Sequence, residues 1–316
     1  MGLALGGYES ATVRIDATGK VTVLVGTHSH GQSHETTFAQ LAADELGVSL
    51  ADVKVIEGDT TAVPYGWGTW GSRSAVTGGG AIIMASRKLR EKIVRVASRL
   101  SEVPADDLAL AEGVVRRKQD GATLTTLKDI AHFLISAPGS LPAGEEPGLE
   151  ATSHYEPPPA THANATHLAT VEVDSDTGQV KILRYIVVED CGTIINPLVV
   201  DGQIQGGVAQ GIGTALYEQV IYDENGQLLT GTLMDYLVPT AADVPQVEIG
   251  HIESPSPYTP GGIKGMGEGG AIAPPAAIAN AVADALAPFG VRVNEIPLTP
   301  ERVRRLIDRG QTAPGS

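Results

Sequence analysis

The sequence predicts an α+β fold of two mixed lobes, each led by a β-hairpin. Three observations predict it. First, a pattern recurs: Ala11-Thr12-Val13-Arg14-Ile15-Asp16 leads to Thr18-Gly19-Lys20-Val21, and Ala169-Thr170-Val171-Glu172-Val173-Asp174 leads to Thr177-Gly178-Gln179-Val180. In both, β-branched residues alternate with polar ones and an Asp…Thr-Gly turn supplies positive φ before a second alternating run. Second, each hairpin feeds a glycine-rich loop and then a helix. Third, six prolines lie between Pro138 and Pro159 without periodicity, which marks residues 138–160 as an extended connector between a first lobe at 1–137 and a second at 161–316. The length of 316 residues agrees, because single cores stop growing at roughly 250–300 residues.

In the first lobe, Thr36 to Leu46 reads as a helix with Phe38, Leu41, Ala42 and Leu46 on one face, stopped by Gly47. Asp52 to Glu57 reads as a strand, Pro64 to Ser74 as a long loop, and Ala81 to Leu100 as a helix with a Lys/Arg-rich outer face. In the second lobe, Val208 to Gln219 reads as a helix entered through Gly202, Gly206 and Gly207. Leu228 to Leu237 and Val247 to Ile252 are strand candidates, and Ala276 to Leu286 is an Ala-rich helix. Thr299-Pro300-Glu301 caps a last helix, with Pro at its first position, and the tail after Gly310 frays.

Composition removes several function classes. With 22 basic and 37 acidic residues the net charge is −15, which repels phosphate backbones and anionic membranes, so nucleic acid is not the expected partner. No stretch approaches the roughly 18–20 apolar residues of a membrane span, and Met1 to Gly7 lacks the basic start of a secretion signal. The chain reads as cytosolic. Cys191 is the single cysteine, which excludes an internal disulfide and any Cys-only zinc or iron–sulfur site built by this chain alone.

Five loops carry residue types suited to chemistry. Ile263-Lys264-Gly265-Met266-Gly267-Glu268-Gly269-Gly270-Ala271 sets one carboxylate among four glycines, a backbone that another group can approach closely. The same loop also fits a plain turn with Glu268 near the positive end of the next helix. Gly26-Thr27-His28-Ser29-His30-Gly31-Gln32-Ser33-His34-Glu35 ends at a helix N-terminus, where free N–H groups favour an anion, although spacing alone favours an ordinary strand-to-helix loop. His28 and His30, two apart on an extended chain, also match the metal pair of amidohydrolases, but the chain lacks the eight strand–helix alternations of that barrel.

Tyr65-Gly66-Trp67-Gly68-Thr69-Trp70-Gly71-Ser72-Arg73-Ser74 holds both tryptophans, either as a wall for a flat ligand whose polar edge meets the hydroxyls and Arg73, or as a packing lid. In Glu189-Asp190-Cys191-Gly192-Thr193-Ile194-Ile195-Asn196-Pro197 no base accompanies the thiol, so Cys191 is not a nucleophile candidate. Gly202-Gln203-Ile204-Gln205-Gly206-Gly207-Val208-Ala209-Gln210-Gly211 offers amides to a heterocycle, or else glycines for close helix packing.

Taken in order, these segments resemble the C-terminal half of the molybdopterin-binding large subunit of the xanthine dehydrogenase and aerobic carbon monoxide dehydrogenase family, over nearly the whole chain. The resemblance rests on Gly31-Gln32-Ser33-His34-Glu35, Gly68-Thr69-Trp70-Gly71-Ser72-Arg73-Ser74, Asp190-Cys191-Gly192 with Asn196-Pro197, Gly206-Gly207-Val208-Ala209-Gln210-Gly211, and Lys264-Gly265-Met266-Gly267-Glu268. It implies molybdopterin cytosine dinucleotide as cofactor, with molybdenum held by the cofactor's dithiolene and by no protein ligand. It implies further that Glu268 is the base for oxidative hydroxylation, in a partly dry cleft. By the same resemblance Gln32, Ser33, His34, Trp70, Gly71, Ser72, Asp190, Cys191, Thr193 and Gln210 bind the pterin and its phosphate-bearing tail. Lys264 and Gly267 join them by position in the Glu268 loop.

Two residues depart from the pattern. Ser33 stands where the family usually has a second glycine, adding a side chain and altering the backbone requirement, and Trp70 replaces the more usual tyrosine. The family's N-terminal half of the large subunit is absent, so the resemblance implies a split subunit or a fragment, with that half on a partner chain and iron–sulfur and flavin (FAD) groups on further subunits. Aldehydes, N-heterocycles and carbon monoxide are all open as substrates. Two other functions are weighed: a non-catalytic relic that binds a partner, and a His28/His30 metal hydrolase that carries stoichiometric zinc.

Overall fold

A computed structural model describes residues 7–137, 141, 144–158 and 161–312; the sequence start at Met1 to Gly6 and the tail from 313 lie outside the described residues. Both halves repeat one topology. In the first, β1 (Glu9–Ile15) and β2 (Val21–Val25) pair antiparallel with Val13 opposite Val23. The chain then passes through α1 (His34–Leu46) to β3 (Val53–Glu57), which lies parallel to β2. In the second, β8 (Asn164–Val173) and β9 (Val180–Asp190) form the hairpin, α4 (Pro197–Leu216) crosses over, and β10 (Val247–His251) lies parallel to β9. A parallel partner requires such a crossover, so the repeat visible in two hairpins extends to the helix and strand that follow.

The first half also contains α2 (Ser74–Ser101), the antiparallel sheet β4 (Leu108–Ala111), β5 (Val114–Arg117) and β6 (Thr123–Thr126), and α3 (Leu127–Ser136). The stretch read as a connector is only partly one. Leu149–Tyr155 is a seventh strand, β7, paired along its length with β1, so the first sheet runs β3-β2-β1-β7. Its seven residues are free of proline, and two of its alternate positions, Leu149 and Ser153, are buried, a strand signal that the flanking prolines obscured. The second half ends in α5 (Gly269–Ile272), α6 (Pro274–Ala285) and α7 (Pro300–Thr312).

Two helices are longer than their glycines suggested. α2 begins at Ser74 and runs through Gly78-Gly79-Gly80 rather than starting at Ala81. A glycine in a helix costs about 1 kcal/mol relative to alanine. At Gly80 a Cβ would stand 2.5 Å from Tyr155 Cδ1, so glycine is what lets α2 lie against β7. Likewise α4 starts at Pro197, not Val208, with Asn196 Oδ1 accepting from the Val199 N–H as its cap. Gly207 packs 2.6 Å, measured from an ideal Cβ, against the backbone of Gly270, and Gly211 does so against Pro274. Leu228 to Leu237 is not a strand: only Tyr222 and Leu228 bridge, and Thr232 turns the chain by accepting from Met234 N–H.

Each half has its own apolar core. β1, β2, α1, α2 and α3 share one, containing Val13, Val23, Phe38, Leu89 and Ile130. β9, α4, α6 and α7 share the other, containing Tyr185, Ile204, Ile212, Ile278 and Ile307. A small third cluster, Val76 and Ile83 of α2 with Ile263, joins the first half to the loop that carries Glu268.

Candidate active site

The sequence-marked loops converge on one cavity of ≈ 490 Å³, within the ordinary range for a small-molecule site. Gln32, His34, Trp70, Gly71 and Ser72 line it from the first half, and Cys191, Thr193, Lys264, Gly267 and Glu268 from the second. The loop after β2 enters through the α1 N-terminus. Ser33 is the residue before α1 and sits at φ 62°, the left-handed region that glycine occupies freely. Serine there adopts a backbone that glycine takes freely, at a cost of order 1 kcal/mol, and its own side chain is not part of the cavity wall. Next to it, His34 is buried, stacked on Phe38, with Nδ1 3.1 Å from Glu57 Oε1 and Nε2 3.1 Å from Gln32 Nε2. Thr27 donates to the same Glu57 oxygen. Sequence reasoning missed Glu57; its one signal is a charged residue closing an apolar strand.

The tryptophan loop is pinned from behind. Arg73 is fully buried and donates to Glu9 Oε2 at 2.8 Å, Gly68 O at 2.6 Å and Tyr8 O at 2.9 Å. Arg73 therefore does not serve a ligand's polar edge, as its neighbours had suggested. Its charge is spent on closing the loop against β1. Of the two tryptophans, only Trp70 lines the cavity, with Nε1 donating to Trp67 O.

Ser72, at φ 58°, holds Glu268 at both ends: its Oγ donates to Glu268 Oε2 at 2.7 Å and accepts from Glu268 N–H at 2.9 Å. Gln203 of α4, from the marked Gly202–Gly211 stretch, donates to Gly267 O at 3.1 Å. The carboxylate is thus oriented by Ser72 of the first half, and the loop that carries it is held by Gln203 of the second. It is nonetheless exposed, so the dry cleft expected around Glu268 is not formed by these residues.

The loop after β9 is more deeply buried. Cys191 lies in the cavity wall with its thiol pushed up to about 11, first by burial and then by the nearby Glu189 charge, so it stays protonated at neutral pH. Asp190 does not line the cavity. Burial raises its carboxyl, but Gly192 N–H, the Lys264 ammonium at 3.0 Å and Ser254 N–H outweigh that and hold it below the usual carboxylate range. Asp190 thereby fixes Lys264, which does reach the cavity. Glu189 is buried with Oε2 unpartnered and its carboxyl beside the α-carbon of Gly269; burial pushes it up to about 7.

Gln210, like Ser33 and Asp190, does not line the cavity. It is exposed on α4, about two turns beyond the cavity-lining Gln203, and does not meet the others. The backbone amides of Gly202 to Gly211 are committed to the helix, and the close-packing role is realised at Gly207 and Gly211, while the side-chain amide of Gln203 reaches the cavity wall. His28 and His30 stand edge-on with ring centroids 5.5 Å apart, and among the described residues no group of three or more His, Cys, Asp or Glu is placed to hold a metal ion.

Residues 1–245 match the family model described as a molybdopterin cofactor-binding domain. This chain belongs to that family. It is 45% identical over 298 residues to the nicotine 6-hydroxylase large subunit of Paenarthrobacter nicotinovorans, covering 94% of the chain and 36% of the relative. It is 40% identical over 301 residues to the carbon monoxide dehydrogenase large chain of Hydrogenophaga pseudoflava, covering 95% and 37%. The solved quinoline 2-oxidoreductase of Pseudomonas putida 86 superposes with a TM-score of 0.91 at 47% identity, over 95% of this chain and 38% of that one. The chain therefore spans less than two-fifths of the length of these relatives. Neither the relic nor the metal-hydrolase alternative is favoured by them. No helix among the described residues is long and apolar enough to cross a membrane.

The cavity suits the family's cofactor on its own features. Its walls are backbone-rich loops that a flat ring system can approach, with open space beside the α-carbon of Gly31 and a cation, Lys264, at one side. Because the described residues assemble no metal-ligand cluster, a metal here would bring its ligands with the cofactor.

Proposed function

We propose that this chain is the cofactor-closing part of a molybdenum hydroxylase large subunit: it binds molybdopterin cytosine dinucleotide and supplies Glu268 as general base for oxidative hydroxylation. The observation that carries this is the Ser72 clamp, which presents a single carboxylate at the rim of a cavity to which all five marked loops contribute, although Gln210 itself does not. Gln32, His34, Trp70, Gly71, Thr193, Lys264 and Gly267 would hold the cofactor, with Ser33 and Asp190 shaping the loops that present them. The cofactor, when bound, supplies the two-electron redox chemistry. Glu268 Oε2 is engaged by the Ser72 hydroxyl, so the other oxygen, Oε1, is the atom placed to take up a proton. Enclosure of the exposed carboxylate, and hence exclusion of water, would come from the partner polypeptide that carries the remainder of the large subunit.

The partners in this scheme are that polypeptide, an iron–sulfur subunit and a flavin subunit, in the cytosol. For substrate, an aromatic N-heterocycle is favoured, because the relatives at 45% and 47% identity are named for nicotine and quinoline. In the purified complex, Glu268→Gln should leave molybdenum and pterin content intact and lower kcat by at least about 100-fold, the scale of general-base catalysis. Wild-type turnover in that variant, or a complex devoid of both molybdenum and pterin, would refute the proposal.

A further inference from the structure

Between Tyr217 and Val244 the chain leaves the second core altogether: no side chain from this stretch belongs to it. The excursion starts and finishes at one place, since Glu218 and Pro239 both crowd the α-carbon of Gly213 near the end of α4. Its backbone is nevertheless well organised. Asp223 N–H donates to Gln227 O, Leu229 N–H donates to Ile221 O, Tyr236 N–H donates to Thr232 O, and the Tyr236 hydroxyl donates to Glu218.

An ordered loop of this kind ordinarily turns its apolar side chains inward on itself. Here they face out. Val220, Tyr222, Leu229, Leu233, Met234 and Val238 are all exposed, with Leu233 at 79% and Met234 at 86%. Scattered exposed leucines need no explanation, but a concentration of this size in one organised segment marks an interaction surface. Its charge is one-sided as well: Glu218, Asp223, Glu224 and Asp235 lie between Glu218 and Pro239, and no Lys, Arg or His does. The cavity is elsewhere, against Val199, Val200 and Gln203 in the first two turns of α4.

We infer that the segment from Glu218 to Pro239 is the docking surface for the part of the large subunit that this chain does not span, through an apolar face rimmed by Lys and Arg. The inference rests on the proposed role as part of a large subunit. The occupant follows from size and charge: the relatives carry this same fold within a polypeptide of which it is 36–38%, so most of each is available to cover it. The acidic rim selects a basic counterpart over a second, equally acidic copy of this chain, whose net charge is −15.

The test purifies this chain together with the native polypeptide that carries the remainder of the large subunit. The expected result is a stable one-to-one complex that the double substitution Leu233→Glu, Met234→Glu weakens at least about 100-fold, as central apolar anchors do. The thermal midpoint of the isolated variant should equal that of wild type, because both side chains are solvated. Leu168→Glu with Leu183→Glu, exposed positions of β8 and β9, should leave the complex intact. No complex with wild type, a complex indifferent to the 233/234 change, or a wild-type homodimer that the change dissociates would each overturn the inference. Pterin content of the same samples reports separately on the proposed function. A complex that forms through Leu233 and Met234 without pterin supports the surface and refutes the cofactor role; one that holds pterin and ignores both substitutions does the reverse.

Discussion

Glu189 and Glu268 lie close to the same loop yet meet opposite environments. Glu268 is exposed and clamped by Ser72, whereas Glu189 is buried with one oxygen unpartnered, and burial pushes it up to about 7. A carboxyl whose value is raised on folding binds its proton more tightly in the native state. Its contribution is fully present below the unfolded value of 4.5 and is lost as pH rises to about 7. Glu189→Gln removes that dependence. The variant should match wild type near pH 4 and exceed it above pH 7 by about 3 kcal/mol, as an order of magnitude. Urea midpoints across that range check it, and parallel profiles for the two proteins would show that Glu189 does not titrate there. Contacts at the same scale decide the role of Arg73. Arg73 beside two tryptophans looks like a ligand contact, and nothing local reveals that Glu9, Gly68 O and Tyr8 O absorb its charge inside the protein.

At the scale of the element, hairpins were legible and glycine-rich helices were not. β1–β2 and β8–β9 follow from alternation and a Thr-Gly turn within a dozen residues, as does the Pro300 start of α7. The starts of α2 and α4 were placed late because glycine lowers intrinsic helicity, and only the surfaces facing Gly80, Gly207 and Gly211 offset that. α4 also shows what a close approach does for the site: Gly207 lets the helix touch Gly270, two residues after Glu268, while Gln203 on the same helix holds Gly267 O. Gly207→Ala raises helix propensity yet places a methyl against backbone that cannot step aside. It should therefore destabilise by about 1–3 kcal/mol, the usual cost of overpacking, measurable as a lower urea midpoint with unchanged slope. A neutral or stabilising effect would mean that α4 and α5 separate easily.

At the scale of the whole molecule, the site exists only where the halves meet. Ser72 and Glu268 are 196 positions apart and exchange two hydrogen bonds, one of them to a carboxylate. Ser72→Ala breaks both. In the assembled enzyme kcat should fall roughly tenfold with pterin content unchanged, the value of a charged hydrogen bond expressed as rate. Equal losses of pterin and kcat would instead make Ser72 a cofactor contact. The amino-acid sequence by itself determined the hairpins and the family pattern of loops, including the loop that carries Glu268, because each is written in short-range alternation, turn chemistry and motif order. Tertiary structure alone decided which glycines are helical, that Arg73 turns inward, that Gln210 stands apart and that Glu268 is oriented but still open to water. Those outcomes depend on atoms contributed from distant parts of the chain, and no local pattern carries them.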